Sequence, residues 1–301
     1  MIDRGVFFAE KKLELIFESI AKAETSAGKS DIVIFTGRGP SSRSLQLAHL
    51  LPLMLCKHLQ AKFNCHLLIQ ISDDEKFYND KSYDATENIR DIERMGFNPK
   101  STCILINSRA NAEFYQMNRL VQKHLKLKEI RRVFGFDDSS NIGIWNYPSI
   151  QITPPLLMPQ KHILVIAGVD QAPYFSLANQ IYPRISNKHQ SCLYSKYLPG
   201  LDGTSKASSS NPNSAIFLDD ADPVIRTKIQ KAFSDTSNHA NDVTMAYLEA
   251  FYTNDHFHSI KSDYVAGRIR SKELKDFCSQ ILIQFIHNFQ SQSPNPLPNI
   301  F

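Results

Sequence analysis

Residues 31–42 have the sequence Asp-Ile-Val-Ile-Phe-Thr-Gly-Arg-Gly-Pro-Ser-Ser, which indicates the class of fold. The apolar, partly β-branched run Asp31–Thr36 stops at a glycine and predicts a buried strand. The turn Gly37–Ser42 and a long apolar segment follow, and strand, glycine-rich turn and helix together form a common phosphate-binding arrangement. The turn matches neither the GxGxxG nor the GxxxxGKS/T fingerprint, so an ordinary connection between a strand and a helix is the alternative.

The pattern on both sides of this stretch alternates between strand and helix. Further strands are predicted at His66–Ile71, Thr102–Asn107 and Lys161–Ala167, and helices at Glu10–Lys22, Ser44–Phe63, Asp84–Met95, Asn111–Leu127 and Pro173–Tyr182. Ser41 or Ser42 is the expected cap of the second helix, and Pro52 should kink it. The alternation predicts an α/β fold with a doubly wound, mostly parallel sheet. Ligands of such sheets bind at the carboxyl ends of the strands, here the loops Gly37–Ser42, Asp73–Lys76 and Gly168–Gln171.

The rest of the chain has a different pattern. The segment Phe136–Tyr147 is predicted to be a loop, and the polar stretch Asp202–Asn213 has the composition of a mobile loop. Beyond it the apolar periodicity predicts helices at Asp222–Phe233, Val243–Tyr252 and Lys272–Gln290. The last eleven residues, 291–301, contain three prolines and are expected to be irregular.

Composition excludes several classes of protein. With 42% hydrophobic and 21% charged residues among 301, the chain is expected to bury a sizeable core rather than to be disordered. No run approaches eighteen apolar residues, so no transmembrane helix is expected, and the mixed acids and bases of the first 22 residues match no secretion or transit signal. Five scattered cysteines favour neither a zinc site nor a disulfide framework. We therefore expect a cytoplasmic protein without a metal centre of its own.

Charge is concentrated in one segment, although the formal net charge is only +4. Between Arg119 and Arg132 there are six basic residues and a single acid, Glu129. Such a run is suited to phosphate groups of a nucleic acid, and a solvated helix face is the alternative.

Two clusters of polar residues are candidates for chemistry. Gln46 and His49 are three residues apart and should share one face near the start of the second helix, where a histidine is either structural or catalytic. Asp73, Asp74 and Glu75 follow the second strand and are compatible with a metal site, a helix N-terminus or a substrate anchor.

Several motifs together resemble one known family. PSSRSLQLAH (40–49) and SKASSSNPNS (205–214) stand in place of the HIGH-type and KMSKS-type signatures of class I aminoacyl-tRNA synthetases. TGRGPSS (36–42), IQISDDEKF (69–77), FGFDDS (134–139) and GVDQAPYF (168–175) are similar to the eukaryotic and archaeal tryptophanyl-tRNA synthetases. The resemblance spans roughly residues 3–285 in order.

This resemblance implies a Rossmann catalytic domain over 1–212, a helical anticodon-binding-like domain over 213–290, a tail over 291–301 and a homodimer. It implies tryptophan, ATP with Mg²⁺ and tRNA(Trp) as partners, and formation of tryptophanyl-adenylate before transfer to the tRNA. By resemblance the catalytic residues are Lys206, His49 and Gln46. The implied ATP-binding residues are Thr36, Gly37, Arg38, Gly39, Ala48, His49, Lys206, Ser208 and Ser209. Those implied for tryptophan are Phe35, Gln70 at the indole N–H, Glu75 at the α-amino group, and Gln171.

The sequence departs from the family pattern at five positions of this implied site. Phe35 replaces a tyrosine, Gln46 a histidine, Ala48 a glycine, Ala207 a methionine and Asp202 a glutamine. Three interpretations stay open at this point: a working tryptophan ligase, a catalytically impaired paralogue that acts as a binding protein, and a ligase for another amino acid such as tyrosine. The presence of Lys206, His49, Gln70 and Glu75 favours the working enzyme.

Overall fold

The computed structural model describes residues 2–26, 30–41, 43–81, 83–208, 211–235, 242–252 and 254–299. The strands in these ranges are β1 (Phe7–Lys11), β2 (Ile32–Arg38), β3 (His66–Ile71), β4 (Thr102–Ile106), β5 (His162–Gly168) and β6 (His189–Ser195). The helices are α1 (Glu14–Ser26), α2 (Leu47–Phe63), α3 (Asp73–Tyr78), α4 (Ala85–Arg94), α5 (Ala112–His124), α6 (Leu127–Phe134), α7 (Ile142–Ile152), α8 (Pro154–Leu157), α9 (Ala172–Ile185), α10 (Asp222–Gln230), α11 (Val243–Phe251), α12 (Phe257–Val265) and α13 (Ser271–Gln290).

The strands form one sheet in the order β1-β6-β5-β2-β3-β4. β2 pairs in parallel with both β3 and β5, and the pairs β3–β4 and β5–β6 are also parallel. From β2 the chain proceeds outward to β3 and β4, and later returns to the other side of β2 with β5 and β6. The predicted doubly wound α/β fold is therefore confirmed, with its switch point between β2 and β5.

The central strands are apolar because both faces of the sheet are covered. All residues of β4 and five consecutive residues of β2, Ile32–Thr36, are buried. Phe35 in β2 has no exposed surface and packs in a core cluster with Val165 of β5 and Phe175 and Tyr182 of α9. This core fixes the carboxyl end of β2, where the chain turns at Gly37.

Two predicted helices begin later than expected. The segment Glu10–Lys22 was predicted to be helical throughout, but Phe7–Lys11 forms β1 and α1 starts only at Glu14. The helix predicted at Ser44–Phe63 starts at Leu47, because the main chain at Leu45–Leu47 pairs with residues 216–218 instead. Ser41 is therefore not its cap, and Ser42 lies outside the described residues.

The limits of other helices and strands agree with the sequence prediction where a cap or a glycine marks them, and differ elsewhere. Asp84 and Met95 cap α4, and Gly96 ends it with a positive φ of 72°, as predicted. The prediction of a loop over Phe136–Tyr147 is wrong in its second half, because Asn141 accepts a hydrogen bond from the N–H of Ile144 and starts α7. β6 and α12 were not predicted, since HQSCLYS and FHSIKSDYV show no clear apolar period.

The segment after α13 is mostly irregular, as expected, but it has defined contacts. The N–H of Ile104 in β4 donates to the carbonyl oxygen of Pro298 at 2.9 Å, and Ile104 forms an isolated parallel bridge with Asn299. The N–H of Leu297 donates to Glu93 of α4. The segment therefore lies along the outer edge of β4.

The chain divides into two compact units. The sheet unit comprises Ala9–Arg43, Pro52–Ser195 and Pro294–Phe301, and the helical unit comprises Met1–Phe8, Ser44–Leu51 and Lys196–Ser293. The division at residue 212 into a catalytic and an anticodon-binding-like domain concerns function and stays a prediction. In the described ranges, none of the helices combines the length and apolar character needed to cross a membrane.

Candidate active site

In the sheet unit, the carboxyl ends of β2 and β3 bring Gly37 and Gln70 side by side. The two residues are direct partners in the parallel register, and Gln70 pairs on its other side with Leu105 of β4. Gln70 has no exposed surface. A polar side chain buried this completely is normally hydrogen-bonded at both its nitrogen and its oxygen.

The amide of Gln70 meets this expectation at only one end. Its Nε2 donates to Oδ1 of Asn107 at 2.9 Å, whereas its Oε1 is buried and has no hydrogen-bond partner in the described part of the chain. A Cβ atom at Gly37 would lie 3.4 Å from this oxygen and 3.4 Å from Nε2 of Gln151. The space above Gly37 is therefore flanked by one hydrogen-bond acceptor and one donor, and glycine keeps it open.

Helix α7 supplies the second side of this space. The hydroxyl of Tyr147 donates to Oε1 of Gln151 at 3.0 Å, so Nε2 of Gln151 is directed away from Tyr147 and lies 3.4 Å from Oε1 of Gln171. The rings of Tyr147 and Tyr174 are in edge contact, with centroids 5.8 Å apart. Burial raises the pKa of both phenols, so both remain neutral at physiological pH. The surroundings are thus uncharged amides and aromatic rings.

The acidic cluster lies on the short helix α3, and its three members have different contacts. Asp73 accepts hydrogen bonds from the N–H and the hydroxyl of Ser108, which fixes the turn after β4. Asp74 accepts from Nδ2 of Asn107 at 2.7 Å, and burial raises the pKa of Asp74 to about 6 although this hydrogen bond opposes the shift. Among the described residues, no group of three His, Cys, Asp or Glu side chains is placed to hold a metal ion.

Glu75 differs from its neighbours because it lies beside the glycine-rich turn. Its Oε2 would be 3.4 Å from a Cβ at Gly39, and the ammonium of Lys76 is 3.8 Å from the same oxygen. Arg38, next to Gly39, donates through Nη2 to the hydroxyl of Ser41. Burial lowers the pKa of Arg38 to about 9, with the carboxylate of Asp91 opposing the shift, so the guanidinium stays charged at neutral pH. The turn is therefore flanked by two cations, Arg38 and Lys76, and by the carboxylate of Glu75.

The helical unit contains the other predicted site residues. The imidazole of His49 contacts Gln46 twice: the N–H of Gln46 donates to Nδ1 at 3.3 Å, and the Gln46 side-chain amide lies 3.1 Å from Nε2. Both contacts come from nitrogen donors of Gln46, whereas a neutral imidazole offers one acceptor nitrogen at a time, so the tautomer of His49 decides which of the two is a hydrogen bond. Gln46 itself is held by an antiparallel bridge to Phe217, which fixes the start of α2.

Lys206 lies in the loop that precedes this bridge. Its side chain is exposed, and Nζ lies 4.7 Å from the centroid of the Tyr197 ring. The carboxylate of Asp202 closes the loop, because Oδ1 accepts from Thr204 and Oδ2 accepts from Asn211 at 3.0 Å. These hydrogen bonds, led by that from Thr204, lower the pKa of Asp202. The segment predicted to be mobile is thus cross-linked by hydrogen bonds at its described residues, while Ser209 lies outside them.

Proteins of one known family are similar to this chain over most of its length. The family model for class I tRNA synthetases (W and Y) matches residues 27–287. The tryptophan–tRNA ligase of Encephalitozoon cuniculi is 36% identical over 313 residues, which are 95% of this chain and 80% of that protein. The cytoplasmic tryptophan–tRNA ligase of Schizosaccharomyces pombe is 34% identical, over 97% of this chain and 80% of its own length. The chain belongs to the tryptophan–tRNA ligase family of class I synthetases.

Solved structures of the family have the same fold. The tryptophanyl-tRNA synthetase of Encephalitozoon cuniculi, bound to tryptophan, superposes with a TM-score of 0.86 at 37% identity and covers 96% of this chain and 84% of that one. The Giardia lamblia enzyme gives a TM-score of 0.84 at 33% identity, with the same coverages. The Rossmann-type class I fold implied by the resemblance is confirmed.

Three departures from the family pattern can now be placed in their surroundings. Phe35 is fully buried, with its ring in edge contact with that of Phe175 at 5.9 Å between centroids, so its position is occupied by apolar packing. Ala207 is buried with Ala215 and Phe217 and is held by a main-chain hydrogen bond to Leu198, so the smaller residue still anchors the loop. Asp202 is engaged in the loop hydrogen bonds described above.

Asn107, Tyr147, Gln151 and Tyr174 were not identified from the sequence. Tyr174 lies in the motif GVDQAPYF but was given no role, and Asn107, Tyr147 and Gln151 lie outside the quoted motifs. The packing of α7, α9 and the end of β4 brings them to the surroundings of Gln70 and Gln171. For Asn107 a signal existed, since a polar residue that ends a buried strand is placed at the ligand-binding edge of a parallel sheet.

Proposed function

We propose that this chain is an active tryptophan–tRNA ligase. In the first step a carboxylate oxygen of tryptophan attacks the α-phosphorus of ATP, and the bond from that phosphorus to pyrophosphate breaks. In the second step a ribose hydroxyl at the 3′ end of tRNA(Trp) attacks the acyl carbon, and AMP leaves. The observation that most supports tryptophan is the unpartnered, fully buried Oε1 of Gln70 beside Gly37, because an indole N–H would satisfy it.

The roles proposed for the amino acid follow from this cluster. Gln70 accepts a hydrogen bond from the indole N–H, and Phe35 provides apolar surface beside the ring. Gln171 binds polar atoms of the substrate together with Gln151. Glu75 carries the charge that an α-ammonium group requires. Since Phe35 has no hydroxyl, Gln70 is the acceptor on which recognition of the indole depends.

The roles proposed for ATP follow from the glycine-rich turn and the two signature segments. Thr36, Gly37 and Gly39 allow close approach of the nucleotide to the main chain, and Arg38 contributes positive charge. Adenine, ribose or phosphate is contacted at the start of α2 by Ala48, Gln46 and His49. The ATP phosphates are bound by Lys206, Ser208 and Ser209. Because the described residues hold no cluster of metal ligands, we assign Mg²⁺ to the ATP phosphates, as part of the substrate.

Pyrophosphate exchange that depends on an amino acid tests this function directly. We expect exchange with tryptophan and with none of the other amino acids, assayed one at a time on protein shown to be folded by circular dichroism. Exchange with tyrosine instead would reassign the substrate. Exchange with none of them would overturn the proposed activity.

We also propose that the basic segment Arg119–Arg132 contacts the tRNA backbone. All six of its bases are exposed on α5, α6 and the turn between them, and Glu129 accepts from the N–H of Lys126 in the first turn of α6. Tyr115 is 63% exposed and lies one turn from Arg119 on the same helix face. Exposed cations next to an exposed aromatic ring are suited to a polyanion with stacked bases.

Replacing Lys128 and Arg132 together by alanine should raise the KM for tRNA about tenfold. It should also lower the slope of log KM against log salt concentration by about 2, since two phosphate contacts are lost. Tryptophan-dependent pyrophosphate exchange, which uses no tRNA, should stay at the wild-type rate. Lys100→Ala, an exposed lysine elsewhere on the sheet unit, is the matched control. An unchanged KM for tRNA would exclude this surface.

The remaining assignments extend the resemblance. We propose a homodimer, to be tested by sedimentation equilibrium, and a catalytic domain over 1–212 followed by an anticodon-binding-like domain over 213–290. A cytoplasmic location is supported by cytoplasmic relatives such as that of Schizosaccharomyces pombe.

A further inference from the structure

The side chains of Asp74, Asn107 and Gln70 form a hydrogen-bonded row that ends beside Gly37. Oδ1 of Asp74 accepts from Nδ2 of Asn107 at 2.7 Å, and Oδ1 of Asn107 accepts from Nε2 of Gln70 at 2.9 Å. Gln70 has no exposed surface and Asn107 is 9% exposed. The row therefore runs from α3 through the end of β4 to the end of β3, shielded from water along most of its length.

The direction of this row is fixed by its first member. An ionised carboxylate accepts hydrogen bonds and donates none, so the amide nitrogen of Asn107 must face Asp74. The oxygen of Asn107 then faces Gln70, and the nitrogen of Gln70 must face Asn107. A reversed Gln70 amide would place two oxygens against each other in a buried site and leave both without donors, which is costly. The oxygen of Gln70 is consequently directed toward Gly37, and the carbonyl oxygen of Ile150, which accepts from Nε2 at 3.4 Å, favours the same orientation.

We propose that Asn107 is a positioning residue for substrate specificity. Because Asp74 fixes the orientation of the Asn107 amide, Asn107 in turn orients the Gln70 amide so that its oxygen, an acceptor, faces the side chain of the amino-acid substrate. The inference rests on the proposed function and assigns to Asn107 the selection of an N–H-bearing ring. This control matters more here than where β2 supplies a tyrosine hydroxyl, because Phe35 offers no polar atom that could replace a misoriented Gln70.

A purely structural role is the competing explanation, since Asn107 also joins the end of β4 to α3. The two explanations differ in what they predict for a substrate analogue. A structural defect lowers activity with every substrate alike. Loss of orientation at Gln70 lowers activity only with substrates that donate a hydrogen bond to it.

The experiment compares tryptophan with 3-(benzothiophen-3-yl)alanine, in which sulfur replaces the indole N–H. The measured quantity is the ratio of the two kcat/KM values in pyrophosphate exchange. Wild-type protein should prefer tryptophan by at least tenfold, the order expected for one buried hydrogen bond. In Asn107→Leu the ratio should fall by up to about tenfold, because the longer hydrogen bond from Nε2 to the carbonyl oxygen of Ile150 is then left to hold the Gln70 amide. Asn118→Leu is the matched control: Asn118 is also buried and hydrogen-bonded, to Ser149 and Thr153, and its loss should leave the ratio unchanged.

Asp74→Asn provides a second variant that retains the shape of the row. An amide at position 74 can donate as well as accept, so the row loses its fixed direction and the ratio should fall here too. A wild-type ratio near one, or an unchanged ratio in a folded Asn107→Leu protein, would overturn the proposal. If Asn107→Leu does not fold, an unchanged ratio in Asp74→Asn overturns it equally. Absence of exchange with tryptophan in the wild type would instead refute the proposed function.

Discussion

Replacement of Lys206 by alanine is expected to lower kcat for tryptophan-dependent pyrophosphate exchange by about 10²–10³-fold, the usual effect of removing one group that stabilises transition-state charge. In-line attack on the α-phosphorus develops negative charge on the leaving pyrophosphate, and an ammonium group stabilises it. The Lys206 side chain is exposed, and hydrogen bonds among Asp202, Thr204 and Asn211 hold its loop. The thermal unfolding midpoint should therefore stay within about 1 °C of wild type, as for other exposed substitutions.

Two further variants make this result specific to position 206. Lys206→Arg keeps the charge and should retain more activity than the alanine variant, although its planar head matches a point-charge site less well. Lys231→Ala, at an exposed lysine of the same unit, should exchange at the wild-type rate. Wild-type kcat in Lys206→Ala would remove this residue from the catalytic machinery.

Glu75→Gln should raise the KM for tryptophan in the exchange reaction about 10–100-fold, with a much smaller change in the KM for ATP. The substitution keeps the shape of the side chain and removes its charge, and a hydrogen bond between charged partners contributes roughly 1.5–3 kcal/mol. Glu75 lies beside the glycine-rich turn, whereas Asp73 and Asp74 are engaged with Ser108 and Asn107. Calorimetric titration with tryptophan alone should show the same loss of affinity.

The matched control for this variant is Glu113→Gln, an exposed carboxylate in the first turn of α5. Its KM for tryptophan should be that of the wild type. Equal KM values for tryptophan in Glu75→Gln and the wild type would mean that another group binds the α-ammonium.

Strands could be predicted from the sequence where a single local property, such as an apolar run, decides the structure. The runs that became β2 to β5 are apolar on both faces, so composition alone marks them as buried parallel strands. β6 contains histidine, glutamine and two serines, and its place beside β5 depends on pairing that no local pattern shows. Strand register and the crossing of helices over the sheet are long-range properties, and a single sequence does not display them.

The same distinction applies to the site. Gln70, Glu75 and Gln171 belong to motifs that follow strands, so they could be proposed from their neighbours in the chain. Tyr147 and Gln151 sit on a helix with no such motif, and Tyr147 ends the segment Phe136–Tyr147 that the sequence predicts to be a loop. Their place beside the proposed site becomes visible only in the structure, where α7 brings Nε2 of Gln151 to 3.4 Å from Oε1 of Gln171.

The segment 294–299 lies against the edge strand β4 and hinders the addition of a further strand there. A bare edge strand presents main-chain N–H and carbonyl groups to which the strand of another molecule can add. Here Pro298 occupies the N–H of Ile104, and Pro294, Pro296 and Pro298 have no N–H of their own to continue the ladder. The β4 edge of the six-stranded sheet is thus hindered from pairing with a strand of another molecule by a segment that follows the last helix.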